Sequence, residues 1–341
     1  MRIGMIGLGG MGAHMVRRLI EDGHECVAYD KSVKAVRAAA AVGAIGASSA
    51  ADLIERLPAP RTIWMMVPAA AVDEVIELVR PRLVAGDILI DGGNSHYSDD
   101  IRRADALRAD AIRYLDVGTS GGVLGLVQGY CLMVGGDADT FATLEPLFAT
   151  LSPGGRPAQR RPGTKGGAEP RRGPGHEEAL AMAAMGYLYC GPSGAGHFVK
   201  MVLNGIEYGV MAAYAEGLNV LYGADAEQHK PGKPPRPFNY QLDIPAITEV
   251  WRHGSIISSK LLDLMARALA ADPQLAGVNG HTSDSGEAGW TVQAAIDMGV
   301  PVQVLGAALC ARFAARGAGE FADKAFGAMR VGFGGQGERK G

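Results

Sequence analysis

The sequence contains 341 residues, 48% of them hydrophobic, which is enough to fill two ordinary domains and excludes a wholly disordered chain. A formal net charge of −3 gives no reason to expect a nucleic-acid or membrane partner. A membrane-spanning helix needs about 18 consecutive apolar residues, and no stretch of the sequence approaches that length. The four cysteines are widely spaced without a Cys-x-x-Cys pair, which argues against a disulfide framework or a zinc site, so we expect a soluble, cytoplasmic protein.

Residues 1–150 alternate short apolar runs with amphipathic segments such as Met11–Asp22 and Ala70–Val79. This alternation is typical of βαβ units and predicts a parallel sheet. A last strand is expected at Tyr187–Cys190. The strands predicted before it are Arg2–Ile6, Glu25–Tyr29, Thr62–Val67, Ile88–Ile90, Tyr114–Val117 and Cys131–Val134.

Residues 153–176 interrupt this pattern with five prolines, seven glycines and six Arg or Lys residues against one acid, Glu169. Such a segment cannot bury a core, and we expect a mobile, solvated loop. A basic arm for nucleic acid is the alternative, but no aromatic residue separates the charges.

The second half of the chain has a helical pattern. Apolar residues recur at three- and four-residue steps from Gly194 to Leu221 and predict one long helix, and a proline-rich loop follows at Lys230–Pro237. The predicted fold is an α/β Rossmann-type N-terminal domain over residues 1–190, followed by an all-α C-terminal domain over residues 191–341. The further predicted helices are Ile244–Trp251, Ile256–Ala270, Thr291–Met298, Val302–Ala315 and Phe321–Arg330.

The first strand leads into a G-x-G-x-x-G turn at Gly7–Gly12 and then into a helix, which is the context that a dinucleotide site requires. A glycine-rich turn can be purely structural, but Asp30 ends the second strand about 20 residues downstream, where a carboxylate binds the ribose 2′-OH. We therefore expect NAD, while the neighbouring Lys31 leaves NADP possible. The predicted cofactor-binding residues are Gly7, Leu8, Gly9, Gly10, Met11, Gly12, Asp30, Lys31, Val67 and Asn94.

The long helix carries a polar stripe. At about 100° per residue, Lys200, Asn204 and Glu207 fall within about 60° of one another, with Tyr208 at the margin. An ammonium, an amide and a carboxylate are costly to bury unless they bond something, which favours a functional site over a Lys–Glu pair that only stabilises the helix. Glycines at Gly205 and Gly209 indicate that another element packs closely there.

Four blocks together resemble the 6-phosphogluconate dehydrogenase (decarboxylating) family: Gly196–Gly209, Gly7–Gly12, Ile90–Ser95 and Gly118–Gly122. The resemblance covers essentially the whole chain, and the chain length is similar to the shorter, NAD-preferring bacterial branch. It implies NAD-linked oxidation of 6-phosphogluconate to ribulose 5-phosphate and CO₂, a step of the pentose phosphate pathway.

The resemblance assigns Lys200 as general base and Glu207 as general acid, with Asn204 as a third catalytic residue. A lysine accepts a proton at neutral pH only when burial lowers its pKa from about 10.4. The resemblance implies no metal, and a homodimer or homotetramer in which a neighbour's tail completes each site. The implied residues for a phosphorylated sugar acid are Asn94, Ser120, Gly121, Gly122, Asn204 and Tyr208, to which we add Lys260 as a candidate cation for the phosphate.

Three positions depart from the family pattern. Leu203 replaces a histidine, Gly289 a cation before Trp290, and Gln336 a C-terminal histidine. A phosphate dianion needs charged partners, and the candidates are Lys260, Arg312 and Arg316.

Two alternatives therefore remain. One is another β-hydroxyacid dehydrogenase, similar to 3-hydroxyisobutyrate dehydrogenase, which shares the glycine turn and the Lys200–Asn204 helix. The other is a non-catalytic NAD-binding sensor, against which the presence of both Lys200 and Glu207 argues.

Overall fold

The computed structural model describes residues 1–155, 176–224, 240–281 and 285–332. Most of the loop predicted at 153–176, the loop at Lys230–Pro237 and Gln336 lie outside these residues. The chain forms two compact units, Met1–Val202 and Leu203–Gly341. The predicted boundary at residue 190 precedes the long helix, whereas the two units divide inside it.

A mixed sheet forms the centre of the first unit, and its inner strands are almost entirely buried because helices cover both faces, while its two edge strands are mostly half-buried. The part of this unit that is described has eight strands: β1 (Arg2–Ile6), β2 (Glu25–Tyr29), β3 (Ile45–Gly46), β4 (Thr62–Met65), β5 (Ile88–Asp91), β6 (Arg113–Ser120), β7 (Cys131–Gly136) and β8 (Tyr187–Gly191). Their order in the sheet is β3-β2-β1-β4-β5-β6-β7-β8.

The predicted parallel sheet is wrong at one junction. Strand β7 runs antiparallel to β6, while β8 is parallel to β7. The connection from Ser120 to Cys131 is about ten residues long, too short for the crossover of a dozen or more residues that a parallel pair needs.

The described helices of the first unit are α1 (Gly10–Glu21), α2 (Val33–Ala41), α3 (Ala50–Glu55), α4 (Val72–Val79), α5 (Tyr97–Arg108), α6 (Gly125–Gln128), α7 (Ala138–Leu151) and α8 (His176–Met185). Three of them begin at capping residues that the sequence supplies. The side chains of Ser32, Ser49 and Asp137 each accept a hydrogen bond from a backbone N–H in the first turn of α2, α3 and α7, respectively.

The predicted long helix is confirmed as α9 (Ala195–Ala224), and the regular elements in the described residues of the second unit are helices. Helix α11 begins at Lys260 rather than Ile256, because the side chain of Ser259 caps its first turn. Among the described residues, no helix is both long and apolar enough to cross a membrane. The further helices are α10 (Ile244–Arg252), α11 (Lys260–Ala271), α12 (Glu287–Met298), α13 (Gln303–Ala314) and α14 (Glu320–Gly332).

Candidate active site

The glycine turn lies at the carboxyl end of β1, between β2 and β4, where the strand order reverses and dinucleotides bind in such sheets. Gly7 has a φ of +97°, and a Cβ there would overlap the carbonyl oxygen of Met66. A Cβ on Gly12 would overlap the carbonyl oxygen of Gly7. These two glycines are therefore required by the fold itself.

Gly9 and Gly10 have a different role, because a Cβ on either would meet no atom within 4 Å. Both are exposed, and Gly9 has an ordinary φ of −63°. The open space lies directly before the N-terminus of α1, whose first backbone N–H groups attract anions. The turn thus fits a pyrophosphate that approaches the backbone closely.

Asp30 lies beside this turn, as the sequence predicts. Its Oδ2 accepts a hydrogen bond of 2.7 Å from the backbone N–H of Leu8, and its Oδ1 accepts one of 2.7 Å from Ser32. The carboxylate is thereby fixed at the end of β2. Lys31 forms an ion pair of 3.0 Å with Glu74 on α4.

We expect Gly9→Asp and Gly12→Ala to fail in different ways. An aspartate at position 9 is a favourable N-cap for α1, but its charge repels a pyrophosphate, so NAD affinity should fall at least about tenfold with no loss of thermal stability. Gly12→Ala should destabilise the protein by about 1–3 kcal/mol through overpacking. Calorimetric NAD titration and thermal unfolding of both variants separate the two effects. A Gly9→Asp protein that bound NAD normally would contradict this use of the turn.

The turns after β5 and β6 carry the predicted substrate residues. Asn94 is exposed between β5 and α5, and Ser120 ends β6. Gly121 and Gly122 follow with φ values of +142° and +51°, a backbone region that favours glycine. Because β5 and β6 are parallel neighbours, these two turns lie at the same edge of the sheet.

Lys200 is placed by close packing of the start of α9 on the sheet. A Cβ on Gly118 of β6 would overlap the Cβ of Lys200, so any other residue there would displace the lysine. A Cβ on Gly196 would likewise overlap backbone carbonyl oxygens of β6 and β7. Lys200 is only 7% exposed. The buried Lys200 side chain therefore packs on the sheet at Gly118, two residues before Ser120 on β6.

The remaining stripe residues lie on α9 within the second unit. Asn204 and Tyr208 are buried, and Glu207 is partly exposed. The close packing predicted at Gly205 is confirmed, since a Cβ there would lie 3.0 Å from Leu305 and 3.1 Å from Thr291.

One cation that the sequence offered for a phosphate contacts the stripe. The guanidinium carbon of Arg312 lies 3.6 Å from the centroid of the Tyr208 ring, a cation–π contact. Lys260 is exposed at the start of α11, and Gly289 lies in the first turn of α12.

A buried charge cluster, which the sequence analysis missed, lies in the first unit below the Asn94 turn. Asp91, Asp100 and Asp116 are fully buried, together with Arg103 and His197. These residues do not follow a helical or strand periodicity. The only signal in the sequence is that Asp91 and His197 lie inside the blocks that carry the family resemblance.

Three residues of this cluster have the spacing of a metal site, with ligand atoms of Asp91, Asp100 and His197 within 4.8 Å of one another. Protein groups already supply positive charge and donors there. Arg103 Nη1 lies 3.3 Å from Asp91 Oδ2, and Ser95 donates to the same oxygen at 2.5 Å. The donor set therefore fits an internal ion-pair network rather than a cation site.

The comparisons with known proteins agree on a family. The profile of the NAD binding domain of 6-phosphogluconate dehydrogenase matches residues 2–155. The Haloferax volcanii protein named 6-phosphogluconate dehydrogenase, NAD(+)-dependent, decarboxylating is 38% identical over 98% of this chain and 97% of its own length. A Bacillus subtilis protein, YqeC, whose name assigns it provisionally as a 6-phosphogluconate dehydrogenase, is 37% identical over the full length of both chains.

Solved structures give the same fold. A Plasmodium falciparum 6-phosphogluconate dehydrogenase has a TM-score of 0.74 at 25% identity, over 98% of this chain and 65% of that one. A Mycobacterium tuberculosis 3-hydroxyisobutyrate dehydrogenase has a TM-score of 0.62 at 19% identity, over 92% of this chain and 94% of that one. The second likeness concerns the fold alone.

Proposed function

Because the chain belongs to the 6-phosphogluconate dehydrogenase family, we propose that it oxidises and decarboxylates 6-phosphogluconate to ribulose 5-phosphate and CO₂, with NAD as hydride acceptor. The observation that carries this proposal is the buried Lys200, which packs on Gly118 in the same unit as the glycine turn. Glu207 follows on the same face of α9, two turns further on.

Lys200 acts first in the proposed reaction. Burial favours the neutral form of an amine, which can take the proton of the substrate's 3-OH. NAD, held by the Gly7–Gly12 turn and Asp30, would supply the acceptor for the hydride that leaves C3. The resulting ammonium of Lys200 then stabilises the negative charge that develops on the enolate as the 3-keto acid loses CO₂.

Glu207 completes the reaction by donating a proton to C1 of the enediol. Its partial exposure suits this step, because a carboxyl group that must regain its proton in each turnover needs access to water. Asn94, Ser120 and Asn204 supply hydrogen-bonding groups for the hydroxyls and carboxylate of a sugar acid.

The phosphate of the substrate is the part of the proposal that the three departures affect. Tyr208 and Arg312 form a donor pair for a dianion, since the guanidinium is fixed against the ring and can present parallel N–H groups. Lys260 is the second candidate. Leu203 and Gly289 remove polar contacts, which supports the alternative of a different β-hydroxyacid dehydrogenase.

A panel of 3-hydroxyacids with NAD and NADP tests the proposal. Reduced cofactor and released CO₂ are followed with 6-phosphogluconate, gluconate and 3-hydroxyisobutyrate. We expect 6-phosphogluconate to give the highest kcat/KM, with one CO₂ per reduced cofactor. A preference for an unphosphorylated acid would favour the alternative, and turnover of none would favour the sensor.

We expect NAD to be preferred over NADP in kcat/KM. The Asp30 carboxylate repels a 2′-phosphate. Lys31 could attract a 2′-phosphate, but it forms an ion pair with Glu74. Asp30→Asn should therefore raise the relative use of NADP. Glu74→Gln should raise it up to about fivefold, the scale of an exposed ion pair, because both partners are largely exposed.

Lys31→Met is the control for this pair. It should lower NADP use and cancel the effect of Glu74→Gln in the double variant. A wild-type protein that used NADP as well as NAD would contradict the assignment of Asp30.

Lys200→Met and Glu207→Gln should fail at different steps. Lys200→Met removes the group that takes the hydroxyl proton, so hydride transfer should be abolished while NAD binding stays nearly intact. Glu207→Gln cannot protonate C1 but leaves the oxidation in place. Pre-steady-state absorbance should show a burst of NADH in the Glu207 variant and none in the Lys200 variant. Near wild-type turnover by both variants would refute the roles of both residues.

We further propose a homodimer or homotetramer. Apolar side chains of α14 support it, since Phe321 and Phe326 are 84% and 71% exposed. Light scattering at working concentration should give twice or four times the chain mass, and a monomer would overturn the proposal.

A further inference from the structure

His197 is the residue of the buried cluster that joins two parts of the site. Its Nδ1 lies 2.7 Å from Asp100 Oδ2, and its Nε2 lies 3.1 Å from the carbonyl oxygen of Gly93. Gly93 belongs to the turn that carries Asn94, and His197 stands one helical turn before Lys200 on α9. One imidazole thus spans from the Lys200 helix to the Asn94 turn.

The partners of the ring determine which nitrogen carries a proton. A carbonyl oxygen can only accept, so Nε2 must be the donor to Gly93. Tyr114 donates to the other oxygen of Asp100 at 2.8 Å, and Arg103 lies 3.9 Å from that oxygen. Both contacts favour an ionised Asp100, and a second proton is then held on Nδ1.

The electrostatics agree with this arrangement. Burial alone would lower the pKa of His197, but its hydrogen bond to Asp100 and the charges of Asp100, Asp91 and Asp116 raise it to about 9. Burial raises the pKa of Asp100 to about 6, against the effect of His197. Asp100 and His197 thus form a buried ion pair, in which Nδ1 donates its proton to Asp100 Oδ2.

We infer that His197 is a positioning residue for the proposed reaction: by donating from Nε2 to Gly93, it fixes the Asn94 turn relative to Lys200. The inference rests on the proposed function, in which Asn94 and Lys200 act on one substrate. Asp100 is its orienting partner, since it holds the ring plane through Nδ1. A misplacement of about 1 Å between reacting groups costs about 100-fold in rate, so such a link has a measurable effect.

His197→Gln tests the link, because a single amide group cannot bond Asp100 and Gly93 in the way that the two ring nitrogens do. We expect kcat to fall about 10- to 100-fold. KM should change less than kcat, because Asn94 is only one of several residues proposed to bind the substrate. NAD affinity should fall less than kcat, because the Gly7–Gly12 turn and Asp30 are not part of this link. A variant that keeps its wild-type kcat while folded would overturn the inference.

Asp100→Asn is the conservative variant that should retain activity. Its amide N–H can donate to Nδ1 of a neutral His197 while its oxygen still accepts from Tyr114, so Nε2 keeps its proton for Gly93. We expect kcat within about threefold of wild type. A fall as large as that of His197→Gln would show that the buried charge, not the link, matters, and would overturn the inference. His253→Gln, at the exposed C-cap of α10, is the matched control and should change nothing.

Nitrogen-15 NMR of the imidazole rings in the wild-type protein tests the proposed donation from Nε2 even if His197→Gln does not fold. We expect the Nε2 of His197 to carry a proton at pH 7.5, with assignment by the loss of that signal in a folded His197 variant or by its coupling to Gly93. An unprotonated Nε2 would overturn the inference. This signal needs no turnover, so a protein that oxidised no hydroxyacid would refute the proposed function while leaving the link independently confirmed or overturned.

Discussion

The capping of α9 by a buried carboxylate is the interaction on which the first unit's part of the site depends. Asp116 of β6 accepts hydrogen bonds from the backbone N–H groups of Gly194 at 2.7 Å and His197 at 3.0 Å. A negative charge at a helix N-terminus satisfies donors that would otherwise lack partners and is favoured by the helix dipole. Since Lys200 follows one turn later, the cap sets where the proposed base stands over the sheet.

The parts of the structure that the sequence predicts are those with a local cause. The strands and α9 follow from hydrophobic period, and the glycine turn from its position between a strand and a helix. The direction of β7 depends on the length of the connection before it, and the start of α11 depends on one capping serine. The periodicity of hydrophobic residues reveals neither. Arg312 and Tyr208 are both candidates from the sequence, but their contact joins residues far apart in the chain, and no local pattern predicts it.

Helix α5 shows why the buried cluster was missed. Its residues are mostly polar, so Asp100 and Arg103 look like members of a solvated face. Asp100 is buried because Tyr114 from β6 and His197 from α9 are its partners, 14 and 97 residues away in the chain. Arg103 is buried with Asp91 and Ser95 as its partners. The sequence also cannot distinguish the roles of the glycines in the turn. Only the tertiary structure shows that the fold requires Gly12, whereas Gly9 faces open space.

The cluster is difficult to explain by stability alone. Removing three carboxylates from water costs several kcal/mol for each, and attraction to two cations seldom does more than offset that cost. An apolar core of the same volume would hold β5, α5 and β6 together at least as well. What an apolar core lacks is direction: hydrogen bonds of 2.7–3.1 Å to defined atoms fix the turn and the helix in one relative position. We therefore interpret the buried charges as the means by which this unit gains positional accuracy beside Lys200, at some expense in stability.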